Sequence, residues 1–199
     1  TELGTTINGQ ASSRNYSYFK VNLKKGQRIL VECQAIDIDS KMAPVLILKG
    51  ANELELERNR FGKPLDFTAP ADGDYYPALH DFTYGGGVEH VYRLTVSQRP
   101  YLDFMVPPVG KPGSNGKYTV YGRNLPGGQS AGMTLGGKPL QKKDVTISLP
   151  NDANARLKIA SSTPVGPVAA GFDGVDYRLT SPAGVSNPVR IPVSYTHLR

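Results

Sequence analysis

The stretch DGDYYPALHDFTYGGGVEH, residues 72–90, decides how the first half of the chain is read. It holds four carboxylates, two of the chain's three histidines and a run of three glycines. Two readings compete: a metal or catalytic site, or a hairpin whose polar residues face water. His80 and Asp81 are neighbours on an expected strand, so strand alternation sends them to opposite faces, and only one of them can share a site with His90. His90 has the parity of Tyr92, Leu94 and Val96 and falls at the rim, where the next strand starts. A zinc site takes three or four ligands and a triad takes three converging groups. The chain has no G-x-S-x-G elbow and no H-E-x-x-H. The expectation is therefore a hairpin without a chemical role, in which Asp81 accepts hydrogen bonds from the FTYGGG loop that follows it.

Outward from this stretch the chain reads as short strands. YSYFKVNL puts Phe19, Val21 and Leu23 on one face and Tyr18, Lys20 and Asn22 on the other. RILVECQAI places Ile29, Val31, Cys33 and Ala35 on one face, which makes Cys33 a small core residue rather than a nucleophile. PVLILKG is a continuous apolar run, the signature of a strand buried on both sides. In ANELELER, Leu54 and Leu56 alternate with glutamates, as in an edge strand that resists pairing with other chains. LDFTAPADGDYY supplies two strands joined at Pro70–Gly73, where Gly73 is expected to supply a positive φ.

The composition agrees: 22 Gly, 16 Pro and 11 Tyr with no Trp favour strands and tight turns over long helices. Residues 1–100 hold twelve Lys or Arg and twelve Asp or Glu, residues 101–199 eleven and five, so the net charge of +6 lies in the second half. That shift, with the proline-rich SQRPYLDFMVPPVGKPG, marks two domains: 1–98 and 99–194. One cysteine forms no internal disulfide. Apolar runs are too short for a membrane helix and no signal-peptide layout opens the chain, so the expectation is a soluble segment of a longer protein without membrane insertion. SYTHLR follows a completed strand, and residues 195–199, His197 included, are read as a non-native tail.

Gly9, YFKVNLKKGQR, LVECQA, APVLIL, LDFTAPADGDYYPALHD, YGGG and YRLTV occur in an order that resembles the bacterial pre-peptidase C-terminal (PPC) domain over residues 4–97. VPPVGKPGSNGKYTVYGRNLPG, GMTLGGKPL and SPAGVSNPVRIPV resemble the immunoglobulin-like IPT/TIG domain over residues 100–194, with DVTISLP and ARLKIASS as its middle strands. The resemblances imply an all-β chain of two consecutive antiparallel β-sandwiches, the first jelly-roll-like and the second Ig-like. They also imply a non-catalytic accessory, binding or spacer module of a larger secreted, periplasmic or cell-surface bacterial protein, with that protein's other domains as partners and an extracellular protein or polysaccharide as its target.

Three site expectations accompany this reading. No cofactor is required, but calcium takes oxygen ligands, and Asp37, Asp39, Asp72, Asp74 and Asp81 are its candidates, none at EF-hand spacing. Asn15 and Ser17 stand where many PPC sequences carry acidic residues, which weighs against an inherited ion site. Tyr76 and Tyr84 are candidates for stacking on sugar or peptide, and Lys138, Lys142 and Lys143, with Lys117 and Arg123, for binding a polyanion. Nucleic acid is not expected, because aromatic residues do not interleave with these charges. The alternatives are a calcium-dependent polymer binder, or a fragment of a secreted hydrolase or peptidase whose catalytic domain lies outside this chain.

Overall fold

The structure, a computed structural model, describes residues 2–60, 63–152 and 173–193. The chain divides into two compact units, Thr1–Gln98 and Arg99–Arg199. Both are built from antiparallel sheets, and among the described residues the only helical turn is a 3-10 segment at Ile36–Ile38.

The first unit contains β1 (Thr6–Gln10), β2 (Ser17–Tyr18), β3 (Val21–Leu23), β4 (Arg28–Gln34), β5 (Pro44–Lys49), β6 (Glu55–Arg60), β7 (Leu65–Thr68), β8 (Gly73–Asp81) and β9 (Val91–Ser97). One sheet runs β1-β9-β4-β7; the other runs β2-β8-β5-β6, with β3 extending β2's place beside β8. Their facing side chains form one core that takes Ile29, Val31, Cys33 and Ala35 from β4 and the residue after it, Leu46 and Leu48 from β5, and Leu79 from β8. Burial pushes the Cys33 thiol up to about 12, so it stays protonated and unreactive. Arg28 and Asp66 form a paired, largely buried salt bridge of 2.6 and 2.7 Å between β4 and β7.

Strand β5 is buried on both sides, as its unbroken apolar run requires. Leu46 and Leu48 enter the main core, while Val45 and Ile47 join Ala78 of β8 in a second cluster on the opposite face of the sheet. Strand β6 is the edge next to β5, displaced two residues past the start of the alternation, which leaves Leu54 exposed before it.

One expectation is corrected. Residues 72–90 do not make a hairpin, because β8 and β9 belong to different sheets, and residues 82–90 carry the chain from one layer to the other. Nor do His80 and Asp81 face water: they are 4% and 3% exposed. A crossing between layers passes over the end of the core, and polar side chains at that end are covered by the chain that crosses.

The second unit contains β10 (Tyr101–Val106), β11 (Asn115–Arg123), β12 (Gln129–Leu135), β13 (Lys138–Ser148), β14 (Gly174–Tyr177), β15 (Thr180–Ser181), β16 (Gly184–Val185) and β17 (Val189–Pro192). A sheet β10-β11-β13-β12 and the pairs β14-β17 and β15-β16 supply a core that includes Leu102, Val120, Ile147, Leu179 and Ile191. Asn187, in the SNP motif, anchors the last strand: its amide brackets the Leu102 backbone, accepting from the N–H at 2.7 Å and donating to the C=O at 2.8 Å. DVTISLP begins inside β13, whereas ARLKIASS and residues 195–199 lie outside the described residues.

Candidate functional site

The end of β8 has two unlike sides. On the inner side Asp81 organises the crossing loop. Its Oδ1 accepts the Ala43 N–H at 2.8 Å, and its Oδ2 accepts from the Thr83 N–H, the Thr83 hydroxyl and the Gly85 N–H at 2.9, 2.6 and 3.0 Å. Burial works against the charge, but the Thr83 hydroxyl and the three backbone donors outweigh it and hold the carboxyl down at about 2. The glycine run makes this closeness possible. A Cβ on Gly85 would sit 2.8 Å from His90 Nε2 and 3.2 Å from Asp81 Oδ2, and one on Gly86 would strike the Ser12–Ser13 backbone. With its oxygens saturated by donors, Asp81 is a structural anion.

On the outer side His80 lies beneath aromatic rings. Its Nδ1 is 2.7 Å from the Asp81 carbonyl, so the neutral ring carries its proton on Nδ1. The other nitrogen, Nε2, is buried and has no hydrogen-bond partner. Tyr84 stacks on the imidazole at 4.5 Å with planes 14° apart, and Tyr16 tilts against it at 4.7 Å. The two phenol hydroxyls meet at 3.1 Å, and Tyr18 lies beside Tyr16 at 5.9 Å. Burial lowers the His80 pKa; the bond to the Asp81 carbonyl opposes this, and Arg58 and Arg60 reinforce it. Tyr84 holds this position at φ 59°, the left-handed region that a bulky residue rarely adopts.

Cations complete this face. Lys49 stands over the Tyr18 and Tyr16 rings at 5.2 and 5.8 Å and bonds the Tyr18 hydroxyl at 3.2 Å. Arg58 is gripped by Glu55 at 2.6 and 2.8 Å, and Arg60 covers Phe82 at 5.8 Å. Arg58, Asn59, Arg60 and Lys63 line an open hollow of about 380 Å³. Tyr18 and Tyr84 remain 53% and 43% exposed, so rings and charges are presented together on the outside of the five-stranded sheet.

Other expected site residues do not converge. Asp74 and Asp81 lie at opposite ends of β8, about 23 Å apart at the rise of a strand. Asp72 is bound by Lys24 and Lys25, and Asp74 by Lys20 and Asn22. Asp37 and Asp39 are exposed at the 3-10 turn. No group of three or more His, Cys, Asp or Glu able to hold a metal occurs among the described residues. Tyr76 is half-buried on the outer side of β8. In the second unit Lys142 pairs across from Tyr121 and Lys143 from the core residue Val120, so consecutive lysines leave by opposite faces. Lys143 bonds the Pro126 carbonyl, Lys138 starts its strand opposite Leu135, and the buried Arg123 pairs with Asp103. Lys117, exposed on β11, completes a scattered set and not a patch.

Sequence reasoning missed Tyr16, Tyr18, Lys49 and Arg58 as members of one face. Tyr16 and Tyr18 are two apart, the strand spacing for a shared side, and that was the available signal. The strand order that brings β2, β8, β5 and β6 together was not readable locally.

No protein-family model matches the chain, and no curated protein matches it. Solved structures similar to it include the pre-peptidase C-terminal domain of collagenase from Bacillus anthracis, at 19% identity and a TM-score of 0.38 over 48% of this chain and 90% of that one. The Yersinia pseudotuberculosis-derived mitogen is similar at 15% identity and 0.38, over 47% and 83%. The periplasmic g-type lysozyme inhibitor PliG of Aeromonas hydrophila is similar at 13% and 0.38, over 48% and 87%.

Proposed function

We propose that this chain is a non-catalytic binding module of a larger secreted or cell-surface bacterial protein, and that the outer face of β2-β8-β5-β6 holds an acidic extracellular polysaccharide. The observation that carries the reading is the joining of exposed tyrosine rings to Lys49, Arg58 and Arg60 on one face. Rings stack on the apolar sides of sugars, and cations pair with their carboxylates. The sequence resemblance to accessory domains of secreted bacterial proteins supports the setting. That His80 and Asp81 lie on opposite sides of β8, and that four donors fill the Asp81 oxygens, supports the non-catalytic reading.

The test is retention of the purified chain on alginate, cellulose, chitin and fibrillar collagen. Alginate is expected to retain it, and Tyr18→Ala with Lys49→Ala is expected to release it without moving the melting temperature. Retention by collagen alone, or by no polymer, would overturn the ligand assignment; retention indifferent to both substitutions would overturn the face.

A further inference from the structure

The His80 ring is an ionisable group closed over by the Tyr84 and Tyr16 side chains on the face of the sheet turned away from the core between the two sheets. Its Nδ1 is committed to the Asp81 carbonyl, its Nε2 is buried without a partner, and Tyr84 and Tyr16 close over it. We infer that His80 is an acid-operated latch: a proton on Nε2 drives Tyr84 and Tyr16 off the imidazole and dismantles the aromatic part of the binding face. The opening itself follows from the geometry; its effect on ligand rests on the function proposed above.

The groups packed around the ring act in both directions, with burial and the β6 arginines against a proton and the Asp81 carbonyl and carboxylate for it, and the balance lies against it. From β6, Arg58 and Arg60 bring positive charge, so an imidazolium here would be a third cation beside them. From β5 come Val45 and Ile47, which offer no acceptor. From the segment before β2 and from the crossing loop come the Tyr16 and Tyr84 hydroxyls, which bond each other and make no hydrogen bond to Nε2. The Asp81 carboxylate attracts the proton through space, but its oxygens are turned to the inner side and filled by four donors. An N–H formed at Nε2 therefore finds no acceptor while the stack is closed, and a buried unsatisfied donor is a heavy penalty.

The sign follows. The closed form prefers neutral His80, and the open form binds a proton as an ordinary histidine does, near pH 6.5. Closure is thus fully stable above that value and weakens as the pH falls below it. The Tyr84 backbone is tied on both sides, its N–H to the Asp81 carbonyl at 2.9 Å and its C=O to the Arg14 N–H at 3.0 Å, so what is released is the ring and not the loop.

The test is a nuclear magnetic resonance titration of the full chain from about pH 8 to pH 5, the range of histidine switching. His80 is expected to titrate below an ordinary histidine, with the Tyr84 and Tyr16 ring signals moving at the same midpoint. In His80→Phe, which keeps a flat ring but takes no proton, the tyrosine signals should stay fixed across the range. Tyr84→Phe, which removes the hydroxyl contact with Tyr16, weakens the lid and should raise the His80 midpoint. Tyrosine signals that stay fixed while His80 titrates, or that move equally in His80→Phe, would overturn the latch. Alginate retention run in parallel should be lost at pH 5 in the parent and kept in His80→Phe. Absence of retention at pH 8 with a normal opening in the titration would overturn the ligand assignment alone, and retention that survives opening would refute the coupling.

Discussion

The two faces of the five-stranded sheet in the first unit are equally dry at their centre but are covered in different ways. Leu46 and Leu48 on the inner face meet a second sheet, whose own strands hold the opposing side chains in place. Val45, Ile47 and Ala78 on the outer face are covered by Tyr16 and flanked by charged side chains of β6. A cover made of another sheet is part of the cooperative fold; one made of side chains can lift with local cost only. That difference is why the inner face is read as scaffold and the outer face as the working surface.

The comparison is most easily broken by core truncation. Leu46→Ala should cost about 2–5 kcal/mol, the usual range for emptying a tightly packed site. Ile47→Ala should fall at the low end of that range, because Tyr16 can settle into the space. Equal costs in denaturant unfolding would mean that the outer cover is as rigid as the inner one.

Asp81 sharpens the comparison on the inner side. Asp81→Ala strips four donors of their acceptor and should cost about 2–3 kcal/mol. Because the carboxyl is held at about 2 in the fold against an ordinary value near 3.9, its contribution is present above about pH 4 and lost as the pH falls towards 2. Acid unfolding of the parent should therefore lose on the order of 2 kcal/mol across that window, a loss absent from Asp81→Ala. This acid response and that of His80 occupy different pH ranges, so the two sides of β8 can be separated in one titration.

Smaller effects follow at the other end of the strand. Gly73, the first residue of β8, has φ 156° with open space about its Cα, so Gly73→Val should cost about 1–2 kcal/mol through the backbone alone. A melting temperature equal to the parent's would remove that argument. Millimolar calcium is expected to leave the unfolding of both units unmoved, since the five aspartates first considered for it do not converge. A calcium-dependent rise in the first unit's melting temperature would restore the ion to this fold.

The sequence disclosed several strands of the first unit through what lies within a few residues, but β1 was not read and YSYFKVNL, read as one strand, is two, β2 and β3. The alternation of Ile29, Val31 and Cys33, the unbroken PVLILK and the charged alternation at β6 each have a local cause; β4 and β5 stand where that cause put them, and β6 starts two residues later. The error at residues 72–90 had a different origin. Two strands joined by a short polar loop read as a hairpin, and only the pairing of β8 with β5 and of β9 with β4 shows that the loop crosses between layers. The aromatic face was hidden for the same reason: Tyr16, Lys49, Arg58 and Tyr84 come from four places in the chain, and no local period joins them.

The central claim is that the outer face of the five-stranded sheet is the surface that meets ligand. It is tested most directly by mapping amide and ring chemical shifts of the isotope-labelled chain during a titration with soluble alginate oligosaccharide at neutral pH. The account predicts saturable shifts confined to Tyr16, Tyr18, Lys49, Arg58, Arg60 and Tyr84. Shifts centred on the second unit, or a spectrum unchanged at saturating oligosaccharide, would contradict it.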